Sequence, residues 1–277
     1  MEEIYDLSNK NIIHIKKGKQ EFIQFRKLLE YSDIISHCYS VGIDKNYRTL
    51  NADKTSLLDE EYIKNLENYK TLCMENNMDH TRIVKANQAH TDIVLKKEDI
   101  ENNKIIDTIM PADALITNTP NTILATTNAD CILLLFFDPV KKVIANTHSG
   151  WKGTLKEISV KTIKEMKEEY GCYPKDIIVC ICPSIRKCHF EVEEDVYSLF
   201  LNQFSKLGNI DTFIQKNNNK WNIDTVLINK ILLKEEGVLE ENIIDSGICS
   251  VCDKKYLHSY RAEGKGYGLE TALICLK

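Results

Sequence analysis

The chain has 277 residues, 43% hydrophobic and 28% charged, which is an ordinary composition for a globular protein. Its formal net charge of −5 provides no overall basic field, which argues against nucleic acid as a partner. The N-terminus is acidic without an apolar signal core, and no apolar run approaches the ~18 residues that span a bilayer. We therefore expect a cytoplasmic protein with no membrane partner, whose ten cysteines are reduced thiols.

The first half of the chain alternates strand patterns with helix patterns. Segments rich in β-branched residues, and short continuous apolar runs, predict strands. Apolar residues at helical spacing predict helices over 20–31 and 59–77. The strands are predicted at 11–16, 34–41, 82–86, 113–117, 122–127 and 132–137.

The second half continues with a strand that runs from Val143 into His148, followed by a helix after Gly153. Thr154 and Glu157 match a capping box at the start of this helix, and Gly171 supplies its stop. Further elements are predicted as a strand at 177–181, a helix at 193–204, a polar loop at 215–220, a helix capped by Asp224 and a final strand at 271–276. We predict one α/β domain over residues 1–277, with a mixed sheet and flanking helices.

Three side chains that bind metals well lie next to apolar segments. Cys131 directly precedes a strand that is predicted to be buried, and His90 and His148 follow other strand patterns. Two imidazoles and one thiolate suit a catalytic Zn²⁺ with a fourth position left for water or substrate. Their wide separation in sequence does not support a zinc site, because structural zinc motifs keep their ligands in close pairs. Asp130, beside the thiol, could orient a ligand, act as a base, or only close a turn.

Two other cysteine patterns carry weaker signals. Cys249-x-x-Cys252 could bind a metal or do redox chemistry, but no second pair of this kind and no thioredoxin-like unit accompanies it. A structural role is therefore favoured for this pair. Cys182-Pro183-Ser184 lacks the motif order and the His-x-Glu partner of zinc deaminases, so that interpretation fails.

A set of short motifs together resembles the laccase-domain family, once called multicopper polyphenol oxidases and now described as purine nucleoside phosphorylases. The motifs occur in family order over roughly residues 37–277, and each is weak by itself. They are Gln88-Ala89-His90, Ala112 to Thr117, Ala129-Asp130-Cys131, His148 to Gly153, Cys182 to Ile185, Phe190-Glu191-Val192 and Ser259-Tyr260-Arg261.

The resemblance implies a zinc site made by His90, Cys131 and His148. It also implies a cysteine-hydrolase-like fold, phosphorolysis of adenosine, inosine, guanosine and methylthioadenosine, and deamination of adenosine. The expected ligands are thus purine nucleosides and phosphate. We assign Asp130 and Cys131 to catalysis and Gln88 to substrate binding.

The sequence departs from the family where anion-binding residues are expected. Ser40 to Asp44 lacks the family's arginine, and Tyr267 to Glu270 lacks a Gly-Arg pair. Cations for phosphate are therefore scarce, and Arg261 becomes the candidate, with Arg48 as the alternative. A structural arginine paired with a carboxylate is the competing interpretation of Arg261.

Other functions remain open at this point. Cys131 could be the nucleophile of a cysteine hydrolase for a small substrate such as a cell-wall precursor, with His148 or His90 as base. The protein could also only capture nucleosides without turning them over. Multicopper oxidation is disfavoured, since the seven histidines include no His-x-His pair, although copper could enter the open position adventitiously or as an alternative metal.

Overall fold

The computed structural model describes residues 6–49, 60–96 and 111–277 in full, and only the backbone of residues 2–4. Within these ranges, two large β-sheets and one small sheet are covered by helices. The strands are β1 (Glu2–Ile4), β2 (Ile12–Lys17), β3 (Gln20–Phe25), β4 (Ile35–Val41), β5 (Ile83–Lys85), β6 (Val94–Leu95), β7 (Ala114–Thr117), β8 (Ile123–Asn128), β9 (Ile132–Asp138), β10 (Val143–Ser149), β11 (Ile178–Ile181), β12 (Glu191–Val192), β13 (Ile214–Asn217), β14 (Lys220–Ile223), β15 (Ile243–Asp245) and β16 (Glu270–Leu276). The helices are α1 (Arg26–Leu29), α2 (Glu60–Glu75), α3 (Trp151–Leu155), α4 (Ile158–Tyr170), α5 (Glu194–Phe204), α6 (Thr225–Glu235) and α7 (Tyr260–Glu263).

Both large sheets are mixed. The first has seven strands in the order β1-β2-β3-β4-β16-β8-β5, antiparallel except for β5 beside β8. The second has six strands in the order β15-β11-β9-β10-β7-β6, with parallel pairs at its two edges. The small sheet has the order β12-β14-β13. The predicted α/β class with a mixed sheet is confirmed, whereas its extent as one domain over 1–277 stays a prediction.

The two large sheets pack face to face around the main hydrophobic core. Apolar residues of β3, β4, β8 and β16 meet those of β9, β10 and β11 there. Buried Asn146 of β10 crosses this interface, donating from Nδ2 to the carbonyl oxygens of Leu124 (2.9 Å) and Ala272 (2.8 Å) in the first sheet. Because a buried amide costs stability unless it is hydrogen-bonded, these bonds fix how one sheet sits on the other.

Helices cover the outer faces of both sheets. Ile163 and Met166 of α4 and Val226 of α6 pack on the second sheet, and Tyr69 and Leu72 of α2 pack on the first. This explains why β9 is a nearly continuous apolar run and why every residue of β10 is buried, since both faces of these strands are covered. No helix in the described part of the chain is long and apolar enough to cross a membrane.

The helix predicted at 20–31 is wrong for its first half. Residues 20–25 form β3, which pairs with β2 through a two-residue turn in which Gly18 has a φ of 59°. Phe22 and Ile23 point to opposite faces of the sheet and both are buried, so the strand shows no alternation of polar and apolar residues. Only Arg26–Leu29 is helical.

The capping box predicted at Thr154 and Glu157 is also wrong. Glu157 has a φ of 57° and separates α3 from α4, so the chain forms two helices where one was expected. The Thr154 hydroxyl lies 3.1 Å from the Ser149 hydroxyl, and the Asn229 amide donates to it. Tertiary contacts of Thr154 have thus overridden the capping-box pattern of the local sequence. Gly171 ends α4 as predicted.

The polar segment 215–220 is a hairpin rather than a loop. Asn217 of β13 pairs with Lys220 of β14, and Asn218 has a φ of 55° at the turn. An asparagine in this left-handed conformation suits a tight two-residue hairpin turn. Because residues 215–217 of β13 are polar and exposed, this strand shows no apolar alternation by which it could be recognised in the sequence.

Candidate functional site

The pairing of β9 with β10 brings the candidate thiol and one imidazole to the same end of the second sheet. Cys131 directly precedes β9, and His148 is the last residue but one of β10. The strands are antiparallel, with Ser149 opposite Ile132, so the start of one lies beside the end of the other. Reactive side chains at the ends of buried strands are held by a rigid scaffold.

The third candidate, His90, lies on the loop after β5 and is placed there by polar contacts. The side chain of Gln88 accepts from the backbone N–H of Thr127 (2.7 Å) and donates to the carbonyl oxygen of Thr127 (2.7 Å). This ties the loop to β8. His90 itself has a left-handed φ of 56°, and its N–H donates to Asp113 Oδ1 at 3.1 Å. A strained non-glycine residue of this kind is common where function constrains the backbone.

We call His90, Cys131 and His148 the open centre. Their potential ligand atoms all lie within 4.8 Å of one another, and Cys131 Sγ lies 3.8 Å from His90 Nε2. Tetrahedral zinc with ordinary bond lengths places sulfur and nitrogen about 3.6 Å apart, so the donor set fits the metal. The glycine at 150 provides room, because a Cβ there would lie 2.6 Å from His90 Cδ2 and 3.2 Å from Cys131 Sγ.

Buried Asp113 orients the open centre from behind. The Nδ1–H of His148 donates to its Oδ1 (2.7 Å), and the backbone and hydroxyl of Thr91 donate to its Oδ2 (2.5 and 2.7 Å). Burial opposes the charged carboxylate, but the His148 and Thr91 interactions outweigh it and lower the pKa of Asp113 to about 2. In the neutral form of His148 the proton is therefore held on Nδ1, which leaves Nε2 available to a metal.

Cys131 and His148 also perturb each other. Burial favours the neutral thiol, but the charges and hydrogen bonds of His148 and His90 outweigh it and lower the pKa of Cys131 to about 6. Burial likewise favours the neutral imidazole, and Cys131 and Asp113 outweigh it and raise the pKa of His148 to about 9. Metal-free, the pair is a thiolate beside an imidazolium, which is the form of a nucleophilic cysteine.

Asp130 joins its own loop to two other segments at the edge of the site. Its Oδ1 accepts from the hydroxyls of Ser250 (2.5 Å) and Ser259 (2.7 Å), and its Oδ2 accepts from the backbone N–H of Arg261 (2.7 Å). With a φ of 85°, the residue is another backbone outlier. The network positions the Arg261 segment relative to Cys131.

The open centre lies in a cavity of ≈ 890 Å³, which is large enough for a small organic ligand. Three cationic residues are among the described residues that line it: Arg48, Lys85 and Arg261. Arg48 stacks on the ring of Tyr267 at 4.6 Å, and Arg261 lies 6.0 Å from the ring centre of Phe190. Arg261 Nη1 donates to the carbonyl oxygen of His189 at 2.7 Å.

The structure thus places every predicted site residue, including Gln88, at this cavity. Asp113 and Lys85 were not identified as functional from the sequence. Asp113 is the first residue of the strand predicted at 113–117 and directly precedes β7, as Cys131 directly precedes β9, and this polar start of an apolar run was the available signal. The sequence did not indicate a functional role for Lys85, because it lies within a short apolar strand and only the fold turns it toward the cavity.

Comparison with known proteins adds relatives that carry functional names. The chain is 34% identical to a purine nucleoside phosphorylase of Clostridium acetobutylicum over 191 residues, which cover 69% of this chain and 75% of that protein. It is 28% identical to the purine nucleoside phosphorylase YlmD of Bacillus subtilis, covering 79% and 78% of the two chains. It is 27% identical to adenosine deaminase RL5 from an unknown prokaryotic organism, covering 76% and 80%. These names support an enzyme.

Solved structures share the fold. The hypothetical protein YfiH of Bacillus licheniformis superposes with a TM-score of 0.78 at 22% identity and 99% coverage of both chains. YlmD of Geobacillus stearothermophilus gives a TM-score of 0.79 at 18% identity, covering 95% of this chain and 98% of that one. The profile of a family described as multi-copper polyphenol oxidoreductase laccase matches residues 38–277. The chain therefore belongs to this laccase family, as its motifs predicted.

Proposed function

We propose that the protein is a zinc-dependent purine nucleoside phosphorylase that also deaminates adenosine, with purine nucleosides and phosphate as its ligands, working in the cytoplasm. The observation that supports this most strongly is the open centre itself. Its two imidazoles and one thiolate converge at the wall of a cavity large enough for a nucleoside, and a zinc ion on three protein ligands would keep a further position for water or substrate. The names of the relatives point to the same reactions.

The chain's own residues would hold the metal through His90 Nε2, Cys131 Sγ and His148 Nε2. A bound Zn²⁺ would supply a Lewis acid and lower the pKa of a coordinated water. Asp113 fixes the tautomer of His148, and Gly150 keeps the space between the ligands open. Since the same donor set can also bind copper, elemental analysis of the purified protein decides the metal.

Phosphate would bind on the cationic side chains of the cavity. A guanidinium has five N–H donors, and Arg261 uses one of them on the His189 carbonyl oxygen among the described contacts. Its planar fork can bind a phosphate bidentately, which an ammonium cannot. Arg48 and Lys85 are further cations on the cavity wall. Glu191 and Glu193 also line the cavity, and their carboxylates suit ribose hydroxyl groups.

Asp130 and Gln88 have roles that the contacts refine. The catalytic assignment of Asp130 stays a prediction, and its three accepted hydrogen bonds favour a positioning role for the Arg261 segment. The substrate-binding assignment of Gln88 also stays a prediction. Because both ends of its amide bond to Thr127, we infer that it positions the loop of His90.

The test is product analysis with zinc-loaded protein. Adenosine and phosphate should yield adenine and ribose 1-phosphate, and adenosine without phosphate should yield inosine. Both reactions should be lost in Cys131→Ala, while Cys172→Ala, which changes a buried thiol outside the cavity, should retain them. Absence of all these products in protein shown to contain zinc would refute the proposal.

A second candidate, a cysteine hydrolase for a small substrate, is favoured by one specific observation. Cys131, His148 and Asp113 form a thiol, imidazole and carboxylate series, and the pKa of Cys131 is lowered to about 6. A metal-free preparation that hydrolyses ester or amide substrates through alkylatable Cys131 would support it. A third candidate, a nucleoside-binding module, would be supported by tight binding without turnover.

A further inference from the structure

Outside the cavity, two loops bring together three thiols and one imidazole. Cys188 and His189 follow β11, and Cys249 and Cys252 follow β15. We call these four residues the closed cluster. Their ligand atoms all lie within 4.8 Å of one another, although about 60 residues of chain separate the two pairs. The sequence showed only the Cys249-x-x-Cys252 half, so the isolated pair was assigned to structure.

The five ligand-to-ligand distances described for the closed cluster lie within about 0.4 Å of those in a tetrahedral zinc shell. The sulfur of Cys188 lies 3.6 Å from that of Cys249 and 3.9 Å from that of Cys252. His189 Nδ1 lies 3.2, 3.6 and 3.6 Å from the sulfurs of Cys188, Cys249 and Cys252. Zinc bond lengths at tetrahedral angles require about 3.8 Å between two sulfurs and about 3.6 Å between sulfur and nitrogen.

The backbone holds the two loops in place on either side of the closed cluster. Ser184 and Cys249 form a parallel bridge, in which the N–H of Ser250 donates to the Ser184 carbonyl oxygen at 3.1 Å. The guanidinium of Arg186 binds both carboxylate oxygens of Asp245, at 2.7 and 3.0 Å. The four ligands therefore converge through contacts that need no metal, which is how a preformed site is built.

We propose that Cys188, His189, Cys249 and Cys252 form a second Zn²⁺ site, separate from the open centre and structural in role. Four protein ligands complete the coordination shell and leave no position for water or substrate. A disulfide fits less well, because the sulfur distances of 3.6 and 3.9 Å exceed the ~2.05 Å of an S–S bond, and four donors point inward together. The proposal does not rest on the enzymatic function.

This second site would hold in place the wall of the cavity that contains Phe190 and Arg261. The carbonyl oxygen of His189 accepts the hydrogen bond from Arg261, and the next residue, Phe190, lies beneath that guanidinium. Ser250, between the two cysteines of the pair, donates its hydroxyl to Asp130 beside the open centre. A metal that fixes these two loops thereby positions Phe190, Arg261 and Asp130.

The test counts zinc per chain by elemental analysis and native mass spectrometry, on untagged protein prepared with zinc and a reductant. Wild type should carry two zinc ions, Cys131→Ala one, Cys188→Ser or Cys252→Ser one, and Cys131→Ala combined with Cys252→Ser none. Lys254→Ala, an exposed change in the same loop, should retain both ions. Circular dichroism confirms that each variant is folded.

Two outcomes would overturn the second site. One is a wild-type protein whose zinc content does not exceed one per chain and is unaffected by Cys252→Ser. The other is a disulfide among Cys188, Cys249 and Cys252, seen as a loss of two thiols and about two mass units. Cys188→Ser makes the same test as Cys252→Ser, so a single misfolded variant does not protect the proposal. If Cys131→Ala retains one zinc that Cys252→Ser removes, the second site stands even where no nucleoside is converted.

Discussion

The open centre and the closed cluster use the same two ligand types in opposite ways. The open centre has three ligands, lies in a large cavity and is backed by the carboxylate of Asp113. The closed cluster has four ligands on two loops, and none of these ligands lines that cavity. The number of protein ligands and the access of substrate to the metal, rather than the residue types, therefore distinguish a catalytic metal site from a structural one.

The largest expected contrast is in turnover. Cys131→Ala should reduce adenosine turnover by on the order of 10³-fold, since losing a Lewis acid costs several kcal/mol of transition-state stabilisation. Cys252→Ser should keep turnover within about tenfold while lowering the melting temperature by on the order of 10 °C. Steady-state kinetics and thermal unfolding measure both. Equal loss of turnover in the two variants would abolish the distinction between the centres.

The second contrast concerns thiol reactivity after metal removal under reducing conditions. The pKa of Cys131 is about 6, so its thiolate is present above that pH and is lost as the pH falls below it. Burial and the neighbouring Cys249 and Cys252 raise the pKa of Cys188 to about 12, so its thiol is protonated at neutral pH. At pH 7, Cys131 should be alkylated ~100-fold faster than Cys188.

Peptide-level mass spectrometry of iodoacetamide adducts, taken between pH 5 and 9, measures these rates. Alkylation of Cys131 should level off above pH ~7, whereas that of Cys188 should keep rising with pH. Similar rates and profiles at the two thiols would contradict the electrostatic difference between the centres.

A third contrast uses two neighbouring glycines. In Gly150→Ala, the new methyl group would lie 2.6 Å from His90 Cδ2, so the imidazole must move and zinc affinity at the open centre should fall about 10–100-fold. In Gly153→Ala, the nearest atom is Ile158 Cγ2 at 3.4 Å, an ordinary contact, and affinity should not change. Competition with a zinc chelator measures both, and equal affinities would show that Gly150 is not required for space.

The smallest expected effect lies where the two regions meet. Arg261 Nη1 donates to the carbonyl oxygen of His189, a residue of the closed cluster, and its guanidinium faces the cavity of the open centre. Arg261→Lys should raise the KM for phosphate about tenfold, or ~1.4 kcal/mol, with zinc content unchanged. Arg48→Lys tests the alternative phosphate-binding cation in the same assay. An effect confined to Arg48→Lys would assign phosphate binding to Arg48 and structure to Arg261.

The sequence predicted the two regions unequally, for physical reasons. The strand after Cys131 is a continuous apolar run and the strand that ends near His148 begins with one, so both strands were evident, and the motif set then indicated which side chains converge. No local pattern links Cys188 to Cys252, because the bridge between Ser184 and Cys249 that joins their loops is a tertiary contact. The β2–β3 hairpin was missed for a similar reason, since both faces of β3 are buried.

We infer that the open centre acts through a bound metal, whereas the closed cluster only holds the two loops together. The most direct measurement is adenosine phosphorolysis by metal-stripped wild-type protein as Zn²⁺ is added stepwise. Four ligands, three of them thiolates, should take the first equivalent into the closed cluster with little activity, and the second should restore turnover at the open centre. Full turnover by protein shown to be free of metal would contradict the account.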